Sequence, residues 1–281
     1  MTVYVEQALQ ANQLSPALYI EPFVGGGSVV LHLLQQRVVE KVILVDQDPW
    51  VASFWHTIFW DSDWLIEQVA NVPITLEKWN ALKQSSPSTC REKAWACLFL
   101  NRTSFSGILR PEVGPLGGKT QASPYKIDCR FPRQTLIKRI QQIAAFRDQV
   151  YAVWNLSWEQ AFENIWSEQK KGKLPQDRLF FYLDPPFFDK ADALYRYYFH
   201  QQDHRTLRDV LLRLEHKWLL SYDSAEQVET LYGKTIADNA NGAKRSDIET
   251  LYTVSLLRER KRGKELILSN LEVLPEFNGH K

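Results

Sequence analysis

Five short apolar runs restrict this chain more than any other feature: ALYIE (17–21), KVILVD (41–46), QVYAVW (149–154), LFFYLD (179–184) and KWLLSY (217–222). Continuous apolar runs of that length, without alternation, read as strands buried on both faces. Amphipathic helical patterns lie between most of them, so the strands are expected to run parallel with helices on both sides of the sheet. The predicted class is α/β, doubly wound. The interval from Asp46 to the run at 149 is too long for one crossover, and it holds several helical patterns plus the loop GILRPEVGPLGGKTQASPYK. An inserted, mainly helical domain over about 62–148 is therefore expected, between halves of a sheet domain at 1–61 and 149–281. Toward the carboxyl end, IETLYTVSLL and KELILSN flank the basic turn RERKRGK and predict a hairpin closing the sheet edge.

With 281 residues, 44% of them hydrophobic, the chain is long and apolar enough to bury a full core. Its cysteines, Cys90, Cys97 and Cys129, are odd in number and form no CxxC pair, which argues against a disulfide framework or a thiolate metal site. No run approaches the ~20 apolar residues of a membrane helix, and the amino terminus has no signal pattern. A cytoplasmic monomer is expected. Net charge is only +1, yet residues 101–148 carry nine basic side chains against three acids, a local charge of +6. Either this is a solvated loop, or one face holds an anionic partner.

The first run leads into Glu21-Pro22-Phe23-Val24-Gly25-Gly26-Gly27-Ser28 and then the helical pattern VVLHLLQQ. Strand, glycine turn and helix start together make a nucleotide-binding corner, because glycine tolerates positive φ and lets backbone approach a ligand. The second run ends at Asp46, nineteen residues beyond Gly27, close to the offset at which an acid meets ribose hydroxyls. The competing reading is a tight turn plus an acid capping a helix at Asp48-Pro49. The glycines lack the G-x-G-x-x-G spacing that seats a pyrophosphate, so an adenosyl cofactor without phosphates fits better than a dinucleotide.

Directly after the fourth run stands Asp184-Pro185-Pro186-Phe187. Ligands of open α/β sheets bind beyond the carboxyl ends of the strands, which is where this tetrapeptide falls. An adenine amine is a poor nucleophile, its lone pair being delocalised into the ring. The Asp184 side chain and the Pro185 carbonyl supply two acceptors for its hydrogens, while the prolines fix φ and remove competing N–H donors. Phe187 offers an aromatic face to a base swung out of a duplex. The alternative is that Pro-Pro ends a strand and Phe187 packs in the core.

EPFVGGGSV, VDQDP, FLNRTSFSGILR, GPLGGKTQASPYKIDCRF, YLDPPFFDK, FHQQDH, LLSYDS and KELILSN, in that order, resemble the Dam-like (class alpha) DNA adenine N6-methyltransferases over nearly the whole chain. The resemblance implies a Rossmann-like sheet, S-adenosyl-L-methionine as cofactor, double-stranded DNA as partner, and a restriction-modification context in which no residue identifies a partner restriction enzyme. It implies cofactor contacts at Glu21, Pro22, Phe23, Gly25, Gly27 and Asp46, with Asn155 and Leu156 beside the cofactor's adenine. It also implies catalysis at Asp184, Pro185, Pro186 and Phe187, and DNA contacts led by Arg102, Arg110, Lys119 and Arg133. Phenylalanine stands at 187 where the family usually has tyrosine; the stacking face is kept and a hydroxyl is lost.

His200 and His204, four residues apart, lack a third metal ligand, and no metal is expected. Ser104, Ser106 and Ser221 sit in no nucleophile elbow. Three functional readings remain: an active DNA adenine methyltransferase, a methyltransferase of a different amide or amine such as RNA adenine or a glutamine side chain, and a non-catalytic DNA-binding relative. The insert favours DNA over a glutamine side chain. The family's opening W-x-GGK element is missing before EPFVGGG. Weak cofactor binding and low or absent activity are therefore expected of residues 1–281, with restoration by an upstream Gly-Gly-Lys turn.

Overall fold

The computed structural model describes residues 1–188, 196–223, 225–237, 242–251 and 262–276. The elements are α1 (Thr2–Ala11), β1 (Leu18–Glu21), α2 (Ser28–Gln35), β2 (Lys41–Val45), α3 (Pro49–Trp60), α4 (Ser62–Asn71), α5 (Leu76–Gln84), α6 (Cys90–Thr103), α7 (Arg133–Ala144), β3 (Val150–Trp154), α8 (Trp158–Lys170), β4 (Leu179–Leu183), α9 (Gln201–Leu211), β5 (Lys217–Asp223), α10 (Glu226–Ala237), β6 (Lys244–Leu251) and β7 (Arg262–Ser269). All five apolar runs form strands, each within a residue of the expected bounds.

Two compact units divide the chain. The first comprises Met1–Val45, Leu156–Ala191 and Tyr198–Lys281; the second comprises Asp46–Asn155 and Asp192–Tyr197. Among the described residues the sheet strands of the first unit are adjacent in the order β2-β1-β4-β5-β7-β6, and the second unit holds β3. β1 pairs in parallel with β2 and β4, and β4 with β5. β7 then enters antiparallel between β5 and β6. β1 and β4 are buried along their whole length, as strands covered on both faces must be. The expected hairpin is present as the β6–β7 pair, although β6 begins earlier, at Lys244. The RERK part of its basic turn lies outside the described residues, as do Asp189 and Lys190 of YLDPPFFDK and Ser224 of LLSYDS.

Helix starts follow local chemistry. Ser157 opens α8 through a capping box with Gln160, and Thr89 does the same for α6 with Glu92, each satisfying donors that the first helical turn leaves bare. α8 then buries Phe162 against Phe181 of β4, ring centroids 4.8 Å apart and 10° from parallel. In the second unit α3 packs on α6, and the core includes Trp55, Phe59, Trp95, Phe99 and Phe131. The insert expected at 62–148 lies inside this unit.

Candidate active site

β1, β4 and β5 are parallel neighbours, so their carboxyl ends share one edge of the sheet. Glu21, the last residue of β1, and Pro22 after it are buried, and Phe23 is half-buried. The chain then turns sharply: Gly27 N–H donates to the Val24 carbonyl at 2.7 Å, with Gly25 at φ +43° and Gly27 at φ +59°. Left-handed backbone at both positions explains the glycines. A side chain on Gly25 or Gly26 would meet open space, so the turn presents bare backbone to anything that approaches it. The Glu21 carboxyl accepts from Tyr19 Oη at 3.1 Å. Its pKa is raised well above the carboxylate range, first by burial and further by the nearby Asp184 charge, against the lowering effect of the tyrosine bond.

Asp184 follows β4. Ser221 Oγ donates to Asp184 Oδ1 at 2.9 Å and lies 2.9 Å from Tyr182 Oη. Asp184 keeps an open, solvent-facing side, while protein crowds its carboxyl from the others and raises its pKa to about 6. Burial is the main cause; the Ser221 bond pulls the other way and Glu265 adds repulsion. Pro185 is buried, and Pro186 and Phe187 are half-buried. Sequence reading weighed Ser221 only as a nucleophile and missed its role as the partner of Asp184. The parallel register held the signal: Leu183 faces Leu220, which sets Asp184 beside Ser221.

In the second unit Asp46 directly follows β2 and is half-buried, its Oδ1 accepting from Asp48 N–H at 2.9 Å. Asp48 is the acid that caps α3, accepting from Trp50 N–H at 2.8 Å with Pro49 at the first helical position. Asp48 is also paired with Arg196 Nη1 at 3.0 Å, and that guanidinium lies 3.9 Å from the Trp50 ring centre. Asn155 Nδ2 donates to the carbonyls of Asp46 and Gln47 at 3.0 Å each, bracing the turn that carries Asp46. Leu156, which belongs to the first unit, is half-buried.

The four basic residues singled out for DNA divide sharply. Arg102 Nε donates to the Arg130 carbonyl at 2.6 Å, and Arg133 donates to the carbonyls of Val69 and Val72 at the end of α4. Arg110 pairs with Glu112 at 3.1 Å, and its carbonyl receives Lys83 Nζ at 2.5 Å. Lys119 is exposed. In the same unit Phe105 is 44% exposed and Tyr125 71%, two large rings left on a basic surface that charge counting alone did not single out. Phe105 precedes Ser106, whose φ of +54° opens a tight turn at the end of α6.

A mostly parallel sheet with an antiparallel strand slipped between β5 and β6, a glycine turn after β1 and an acid-proline corner after β4 define a Rossmann-like methyltransferase fold. The chain belongs to the D12 class N6 adenine-specific DNA methyltransferases, whose family model matches residues 6–254. It is similar to the Type II methyltransferase M.MjaIII of Methanocaldococcus jannaschii, 29% identical over 106 residues, a match covering 33% of this chain and 37% of that relative's length. The crystal structure of SMU.1697c from Streptococcus mutans in complex with SAH covers 96% of this chain and 98% of its own at 7% identity, with a TM-score of 0.35, a likeness too slight to support an argument. No described helix is long and apolar enough to cross a membrane.

Proposed function

We propose that the chain transfers a methyl group from S-adenosylmethionine to the exocyclic amine of an adenine in double-stranded DNA, the base being swung out of the stack to reach Asp184. The observation that carries this reading is Asp184 itself: a carboxylate at the end of a central parallel strand, oriented by Ser221 at 2.9 Å and followed by two prolines. The cofactor supplies an electrophilic methyl on a sulfonium. With it bound, the methyl would pass to the amine nitrogen as the C–S bond breaks to leave a neutral thioether, and the surplus amine proton would go to solvent at the open side of Asp184. Asp184 accepts a hydrogen bond from the amine and the Pro185 carbonyl accepts a second, favouring the tetrahedral nitrogen. Phe187 stacks on the flipped base.

The residues of this chain suit an adenosyl cofactor. The turn Phe23–Gly27 offers open backbone, and Glu21 and Pro22 fix where that turn leaves the sheet. Asp46, the residue directly after β2, offers an acid suited to ribose hydroxyls. Incubation with labelled cofactor and genomic DNA, followed by nucleoside analysis, tests the reading; label in anything but N6-methyladenine overturns it.

Asp46→Ala is expected to weaken cofactor binding by about 1.5–3 kcal/mol, the scale of hydrogen bonds to a charged group. Calorimetry measures it directly, and unchanged affinity would remove Asp46 from the cofactor site.

DNA contact belongs, in this reading, to residues 101–148, a stretch that holds both the basic side chains and the exposed rings of Phe105 and Tyr125. Lys119→Glu should lower DNA affinity and flatten its salt dependence with no loss of thermal stability. Arg133→Glu should lower both, because its guanidinium also satisfies two carbonyls of the fold. Equal melting temperatures for the two variants would contradict that division.

A further inference from the structure

α9 carries one deeply buried imidazole. His204 is 1% exposed, its ring stacked on Phe188 at 4.3 Å and 26°, and set at 67° to the ring of Phe199 at 5.0 Å. Nδ1 lies 2.6 Å from Tyr222 Oη on β5, and Nε2 has no hydrogen-bond partner among the described residues. Burial pushes the imidazole down to a pKa of about 4, so the ring is neutral in ordinary buffers.

The neighbours of this ring decide what it does. Phe199 meets Phe23 at 5.5 Å and 72°, and Phe23 belongs to the glycine turn after β1. Phe188 is the residue immediately after Asp184-Pro185-Pro186-Phe187, and its N–H reaches Asp223 Oδ1 at 3.4 Å, at the end of the strand that bears Ser221 and Tyr222. A continuous series of rings, Phe23, Phe199, His204 and Phe188, therefore runs from the glycine turn to the acid-proline corner within one unit. A leucine or phenylalanine at 204 would fill the same space without burying an imidazole nitrogen that lacks a partner. What only histidine provides is a flat ring that stacks and, at the same time, a nitrogen that fastens the stack to β5 through Tyr222.

We propose that His204 is a positioning residue for methyl transfer: it holds Phe188, and with it the Asp184 corner, in fixed relation to the glycine turn, so that one ring series sets both. The proposal rests on the methyltransferase reading for its consequence in catalysis, but its structural half is measurable without turnover.

The experiment is hydrogen exchange at the Phe188 amide, read beside single-turnover methyl transfer on genomic DNA, for wild type, His204→Ala, His204→Phe and Tyr222→Phe. An aromatic pair supports an expected acceleration of roughly tenfold at Phe188 in His204→Ala. Amides in the middle of β4 and β5 should stay at their wild-type rates, and kcat should fall by the same order with KM for DNA nearly unchanged. His204→Phe, which keeps the stack, should recover most of the Phe188 protection, while Tyr222→Phe should release part of it. Uniform acceleration of all amides with unchanged kcat per folded molecule would mean a merely structural residue and overturns the proposal, as does wild-type exchange at Phe188 in His204→Ala. If His204→Ala fails to fold, Tyr222→Phe decides the matter: faster exchange confined to the Phe188 corner supports the proposal and no change overturns it. Faster Phe188 exchange in His204→Ala, together with a wild type that never methylates adenine, would remove the methyltransferase reading and leave the placement of Phe188 standing.

Discussion

Asp184→Ala should lower methyl transfer to adenine by at least about 10²–10³-fold, the usual effect of removing one preorganised group that meets developing charge, while cofactor affinity stays at its wild-type value. The separation follows from the proposed roles, in which the carboxyl addresses the amine to be methylated and the glycine turn and Asp46 are the groups suited to the donor. A normal rate in this variant would end the assignment of Asp184. The same carboxyl fixes the pH profile. Acceptance of the amine hydrogen requires the ionised form, so with a pKa of about 6 the rate should rise with pH through that value and level off above it. The Ser221 bond favours the ionised form, so Ser221→Ala should move the midpoint upward. Stability runs in the opposite sense. A carboxyl whose pKa is higher folded than unfolded contributes stability below its ordinary value near 3.8, and that contribution disappears as pH rises through about 6. Asp184→Asn should therefore melt at or above the wild-type temperature at pH 8 while transferring no methyl groups. A marked loss of stability at that pH would mean that the ionised carboxylate is a net structural asset.

Much of the sheet was legible because its central strands are buried on both faces, which forces continuous apolar runs such as Leu179–Leu183 and leaves little choice of boundary. Asp184 was legible for the same reason: an acid at the end of such a run has nowhere to go but the strand's carboxyl edge. Ser221 was not, since its meaning comes from the register of β5 against β4 and no local pattern encodes it. His204 looked like half of a metal pair with His200 at helical spacing; only the packing shows it buried under Phe188 and tied to Tyr222. The basic stretch illustrates a different limit. Counting charges treats Arg102, Arg133 and Lys119 alike, yet two of these side chains end on backbone carbonyls and one is exposed. A guanidinium fork serves a carbonyl pair as readily as a phosphate, and sequence does not distinguish the two uses.

Phe162→Ala should destabilise the first unit by about 3–5 kcal/mol, the usual cost of emptying a buried aromatic site, and lower its melting temperature by about 6–20 °C. The ring is buried and stacked at 4.8 Å on Phe181, in the middle of the strand that delivers Asp184, and it touches Trp158 and Trp166 along its own helix. Removing it leaves a cavity between α8 and β4 that neighbouring rings cannot fill without leaving their own contacts. Because β4 is also held by parallel pairing with β1 and β5, the strand itself should keep its place at low temperature. The folded fraction should then transfer methyl groups at close to the wild-type rate, in contrast to Asp184→Ala, which loses the reaction and keeps the fold. Differential scanning calorimetry with single-turnover assays at 10 °C distinguishes the two outcomes. A Phe162→Ala protein that melts normally would show that α8 is not a principal cover of β4. One that folds at 10 °C but transfers no methyl group would show that the Phe162–Phe181 stack sets the position of Asp184 as well as the stability of the strand beneath it.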